Sequence, residues 1–149
     1  MDERLEKILA DIVSIISTSS SLDEEFVELV LKRLEFTFGY ILKESDSFGI
    51  AFAIQKTEEH IKNTCNVNSV PQGLKMKAVD IVCGEFLDSK NKTGQLDIST
   101  LDLNGGIKSI KEGDVQVNFD DMSDGMKFEK MLEGLIQEGD LLCYRKIRW

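Results

Sequence analysis

The chain is predicted to be mainly α, a small helical bundle of about five helices with a β-hairpin insertion and an extended C-terminal tail. Three observations predict it. Apolar residues recur at spacings of three and four over most of the first 88 residues, as they do on one face of a helix. Two short β-branched segments near residue 110 alternate instead, around a turn. The last nine residues are cationic and aromatic, on a chain whose net charge is −9.

Leu5, Ile8, Leu9, Ile12, Val13, Ile15 and Ile16 lie on one helical side, with Glu3, Arg4, Glu6, Lys7 and Asp11 on the other, so residues 3 to 17 read as an amphipathic helix. Ser21 followed by Glu24 is a capping-box pattern, and Asp23, Glu24 and Glu25 suit the positive end of a helix dipole. A second helix is expected from there to Leu42. Its later part is ambiguous, because Leu34, Phe36, Phe38, Tyr40 and Leu42 alternate as a strand would, and Gly39 weakens a helix.

After a break at Glu44–Ser47, a third helix carries an apolar stripe of Phe48, Ile50, Ala51, Ile54, Thr57 and Ile61, with Lys56, Glu58, Glu59 and Lys62 facing away. Pro71, the one proline, marks where that helix has ended and the next begins, since it fixes φ, lacks an N–H and bars its predecessor from the α region. The fourth helix runs from Gly73 to Leu87, with Leu74, Met76, Val79, Ile81, Val82, Phe86 and Leu87 at helical spacing. Pro71, Gly73 and Gly84 are assigned to shaping this helix pair.

Residues 89 to 106 are polar and end in Asn104-Gly105-Gly106, so a loop of about 18 residues is expected. Ile107–Lys111 and Val115–Phe119 then form the arms of a hairpin around Glu112-Gly113-Asp114. Ile107, Ile110, Glu112, Gly113, Asp114, Val115, Val117 and Phe119 are its candidate contacts with neighbouring subunits or a lumen, because an isolated hairpin is barely stable in water. Asp120–Gly125 starts like a calcium loop, but the third and twelfth ligand positions fall on Met122 and Met131, so Ser123 or Asp124 is read as a helix cap. Met126, Phe128, Met131, Leu132, Leu135 and Ile136 make the last helix, closed by Gly139.

A single domain is expected, with N-terminal helices over 1–45, a central helix pair over 46–88, loop and hairpin over 89–119, a last helix over 120–140 and a docking tail over 141–149. The N-terminus has no basic run before an apolar core, and no apolar run reaches the ~20 residues of a bilayer span, so a cytoplasmic, membrane-free protein is expected. Cys65, Cys83 and Cys143 lack any C-x-x-C pairing and read as reduced thiols. The lone His60 reads as a helix-surface group. No nucleophile elbow, Walker loop, zinc motif or dinucleotide fingerprint is present, so neither an enzyme nor a cofactor or metal is expected.

The tail ends Tyr144-Arg145-Lys146-Ile147-Arg148-Trp149. Arginine and aromatic side chains are enriched at the centres of protein interfaces, which makes the tail a candidate docking strip. The alternative is a tail folded back on its own acidic bundle.

Ile61–Asn66, Val70–Leu74 and Ala78–Leu87, taken in order, resemble the central signature of the tailed-phage and prophage head–tail connector proteins, also called adaptor or head-completion proteins. The likeness continues into Ile107–Asp114 and the terminal Tyr144–Trp149, and covers residues 46 to 149. It implies a structural virion protein, made in the bacterial host cytoplasm and located at the virion neck. Such a protein forms a ring homo-oligomer under the portal, twelve-fold like portals, meets the next neck, stopper or tail protein, and extends the DNA channel.

On that reading Tyr144, Arg145, Ile147, Arg148 and Trp149 are portal-docking anchors. An acidic bore would let DNA slide without sequence-specific binding, whereas a basic one would hold it. The alternatives are an equivalent ring in a headless phage-tail-like particle and an acidic monomeric regulator that mimics DNA.

Overall fold

The computed structural model describes residues 2–16, 22–110 and 122–144. Six α-helices are present among them: α1 (Glu3–Ile16), α2 (Glu24–Lys32), α3 (Ser47–Cys65), α4 (Lys75–Lys92), α5 (Leu103–Ile110) and α6 (Asp124–Ile136). Short 3-10 turns occupy Glu44–Asp46, Gln72–Leu74, Ile98–Thr100 and Gly139–Tyr144, and no strand occurs among the described residues.

The central pair α3 and α4 pack on each other; α1 and α2 cover one side, while α6 and α5 cover the other. The expected apolar positions of α1 fill the core: Leu5, Ile8, Leu9, Ile12 and Ile16 are buried. Full burial of a side chain of that size stabilises by about 1.5–3 kcal/mol relative to exposure.

The chain ends its helices where the local chemistry allows. Asp23 caps α2, its carboxylate accepting from the Phe26 N–H at 3.0 Å. Ser123 caps α6, accepting from the Met126 N–H at 3.3 Å. Asn66 closes α3 in the left-handed conformation (φ 56°), and its N–H returns to the Lys62 carbonyl. Asparagine tolerates that conformation better than most residues. Pro71 then starts the turn that leads into α4, with the Leu74 N–H donating to its carbonyl at 2.9 Å.

The second helix stops short of Leu42. Beyond Lys32 the backbone widens into a π-helical turn over Arg33–Thr37, and the Phe38 N–H reaches back to the Arg33 carbonyl. Gly39 takes φ +73°, which reverses the chain. From there Tyr40 points in, Ile41 out and Leu42 in, so the strand-like alternation is real but has no partner strand among the described residues.

The expected loop is largely helical. The fourth helix continues through Ser89–Lys92, where the Lys92–Asp88 ion pair (2.9 Å, four residues apart) supports its last turn, and α5 begins at Leu103. The β-hairpin expectation is corrected by α5, because Ile107 and Ile110 lie on a helix rather than a strand. Three residues apart, they share one helical face. Ile107 is buried, and Ile110 packs where a side chain on Gly134 would otherwise sit. Glu112, Gly113, Asp114, Val115, Val117 and Phe119 lie outside the described residues.

Candidate interaction surface

The third helix is positioned by a buried carboxylate. Asp46 precedes α3 with its side chain fully enclosed, and its Oδ2 accepts from the Tyr40 hydroxyl and the Lys43 N–H, each at 3.0 Å. Lys90 of α4 brings its Nζ to 2.6 Å from Oδ1, a close charge contact rather than an aligned hydrogen bond. The Lys90 cation also lies 5.8 Å from the centre of the Phe86 ring, and Tyr40 meets that ring edge-on at 5.5 Å. Burial, then the neighbouring Asp46 charge, holds the Tyr40 hydroxyl well above its ordinary value.

Above this network stand Phe48 and Phe52, one helical turn apart and 69% and 58% exposed. They flank a cleft of about 340 Å³ shared with Phe86, Lys56 and Glu85. The sequence placed Phe48 in the apolar stripe of α3, but the stripe buried by the fold is Ile50, Ala51, Ile54, Thr57 and Ile61. Glu58, expected to face away, is buried too. Phe36 in the π turn (68%) and Ile41 (71%) are equally exposed, so four large apolar side chains meet solvent within the span from residue 36 to 52. Of these, Phe48 and Phe52 share one cleft, and paired apolar surface of that kind is a candidate contact site.

A second cleft, between α4 and the α5–α6 pair, is polar, and its Arg33 and Asp80 charges are paired. Arg33 Nε lies 2.7 Å from Asp80, its guanidinium covers the Phe38 ring at 5.0 Å, and Lys77 donates to the Gly134 and Leu135 carbonyls at the end of α6. Among the described residues no group of three or more His, Cys, Asp or Glu is placed to hold a metal. None of the helices described is long and apolar enough to cross a membrane.

The glycines assigned to the helix pair act at closer quarters than the turn alone requires. Gly73 lies directly beneath the Tyr144 ring, and a Cβ there would run into the tyrosine hydroxyl. On α4, Gly84 faces α6, where a Cβ would meet Ile136 Cγ1 at 2.8 Å and Leu135 Cβ at 3.0 Å. The Gly84 contact therefore brings α6 onto α4 rather than α3 onto α4.

The start of the tail is part of the fold. Leu141 is fully buried, its carbonyl accepts from the Cys65 thiol at 3.3 Å, and His60 pairs with Glu138 at 2.6 Å. Tyr144 closes this segment against Gly73 while remaining 40% exposed. Arg145, Ile147, Arg148 and Trp149 lie outside the described residues; of the docking set only Tyr144 is described, and it meets Gly73.

Sequence reasoning missed Phe48, Phe52, Phe36 and Ile41 as an exposed set. The signal was present for the α3 pair, since Phe48 and Phe52 share a face four residues apart that Ile50 and Ile54 do not. No family model, curated protein or solved structure matches this chain.

Proposed function

We infer that this chain is a structural binding subunit, a head–tail connector that forms a ring under a phage portal and extends the DNA channel. On the structural side the paired exposure of Phe48 and Phe52 on one face of α3 carries this reading, because a partner that covered them would remove two large apolar side chains from water. The resemblance of residues 46–149 to connector proteins supplies the kind of assembly, and the acidic balance of −9 suits a bore through which DNA slides.

In this assembly the strip beyond Tyr144 faces the portal. Arg145, Ile147, Arg148 and Trp149 are its anchors, while Tyr144 fixes the strip to the bundle.

Co-expression with a candidate portal protein from the same genome tests the reading. The full-length chain is expected to co-purify with the portal as a ring visible by electron microscopy. A chain ending at Tyr144 is expected to stay folded and unbound. Trp149→Ala should cost about 2 kcal/mol of binding, as the loss of an interface anchor does. Equal capture of the full-length and shortened chains would remove the docking role of the strip, and a full-length chain that neither binds the portal nor forms rings would refute the connector reading.

A further inference from the structure

We propose that the groove between α1 and α2 is the seat for the C-terminal strip, Arg145–Trp149, of a second copy of this chain. The groove has a volume of about 680 Å³ and is lined by Leu9, Ala10 and Val13 of α1, with Glu6 on the same helix and Glu24 and Glu28 on α2. It therefore offers an apolar floor between carboxylates. Glu28 is partnered by Lys32 at 2.8 Å, but neither Glu6 nor Glu24 pairs with a cation among the described residues. The nearby cations are committed elsewhere, Arg4 to Glu35 and Lys7 to Glu44.

The chain carries the complementary segment itself. Arg145, Lys146 and Arg148 supply three positive charges with no acid among them, and Ile147 and Trp149 supply the apolar side chains for the floor. A groove of this size accommodates an aromatic side chain with its neighbours, and opposite charge along the rim sets the register and speeds encounter.

The inference rests on the ring reading, in which every copy presents two different faces to its neighbours. It deepens that reading by naming one pair of faces: the α1–α2 groove on one copy and the basic strip on the next. A strip held by a neighbour is not free for a portal, so the groove seats the strip in copies not yet on the portal, and docking on the portal displaces it.

Trp149 is the one tryptophan of the chain, which makes its emission a direct readout of strip burial. The full-length protein is examined across a dilution series by tryptophan fluorescence and sedimentation velocity, at low and high salt. The expected result is a blue shift that grows with protein concentration together with association. Glu6→Gln combined with Glu24→Gln should move its midpoint about tenfold to higher concentration, the scale of two exposed charge pairs. Ala10→Arg should abolish it, while Val13 and Leu9 stay in place.

Emission that is independent of concentration, association without a tryptophan shift, or association indifferent to the groove variants would each overturn the proposal. Portal capture by the Glu6→Gln/Glu24→Gln chain separates the two readings. Retained capture leaves the connector reading intact whatever the groove result, because those glutamates belong to α1 and α2 and not to the strip.

Discussion

Removing either partner of the Asp46–Lys90 contact should destabilise the bundle, but by unequal routes that a double-mutant cycle can separate. Asp46→Ala deletes the acceptor for the Tyr40 hydroxyl and the Lys43 N–H, and the partner of Lys90. Two hydrogen bonds to the carboxylate and one close ion contact, each at about 1.5–2 kcal/mol, give a loss of about 4.5–6 kcal/mol. Lys90→Met keeps both hydrogen bonds to the carboxylate but leaves a fully enclosed charge without its counter-ion. Breaking a buried pair in that way costs about 3–5 kcal/mol.

Lys90 itself is 18% exposed, so after Asp46→Ala its ammonium can turn toward water, which keeps the first loss at the lower end. The double variant retains no stranded charge, and it should lose less than the sum of the singles by about 1.5–3 kcal/mol. Urea unfolding followed by circular dichroism measures all four chains, and an unchanged slope would show that the unfolded state is not what moved. Additivity within about 0.5 kcal/mol, or a Lys90→Met chain as stable as the parent, would refute the argument that this pair fixes the start of α3 against α4.

Gly84→Ala should destabilise by about 1–3 kcal/mol in the same assay, because the new methyl group meets Ile136 and Leu135 at 2.8 and 3.0 Å and α6 has to move off α4. Burial raises the thiols of Cys65 and Cys83, so alkylation of these two should follow global unfolding and be slow in the native protein. In alkali the sign is set by Tyr40, whose hydroxyl is raised above its ordinary value of 10.0. The unfolded chain loses that proton first, so stability is full below pH 10 and falls above it; in a Tyr144→Phe chain, phenolate absorbance should appear only together with unfolding. Leu141→Ala should cost about 2–5 kcal/mol, as a fully buried leucine does, whereas ending the chain at Tyr144 should leave the melting temperature within a few degrees of the parent.

Much of the bundle was legible because local pattern and burial agree there. The apolar face of α1, the Ser123 cap of α6 and the Pro71 break all follow from residue type and spacing. The misses have physical causes. Ile107 and Ile110, three residues apart, fit a helical face better than a strict alternation, but the segment is short and β-branched, and Gly105-Gly106 just before it argues against a helix on propensity alone. The fold overrides that propensity at Gly106, where a Cβ would strike Phe38 and the Met131 sulfur at 2.7 and 2.8 Å, so the absence of a side chain is what lets α5 approach its neighbours.

The polar end of α4 was read as loop because its stabilising partner, Asp46, is distant in sequence. The π turn and the outward Phe36 depend on Phe38, Tyr40 and Leu42 all finding burial beyond it, which no window of a few residues reveals. Of the proposed contact residues, the tail was legible from composition, whereas the phenylalanines of α3 required knowing which side of the helix the core would take.

Because Tyr144 is seated on Gly73 at the turn between the two central helices, everything after it departs from one surveyed point on a rigid body. Residues 145–149, even fully extended, reach no more than ~18 Å from there. In a closed circle of identical copies, as proposed above, those departure points would share one radius and one height. On the proposed ring reading, the level at which every strip leaves the bundle would be set by the seat of a single tyrosine.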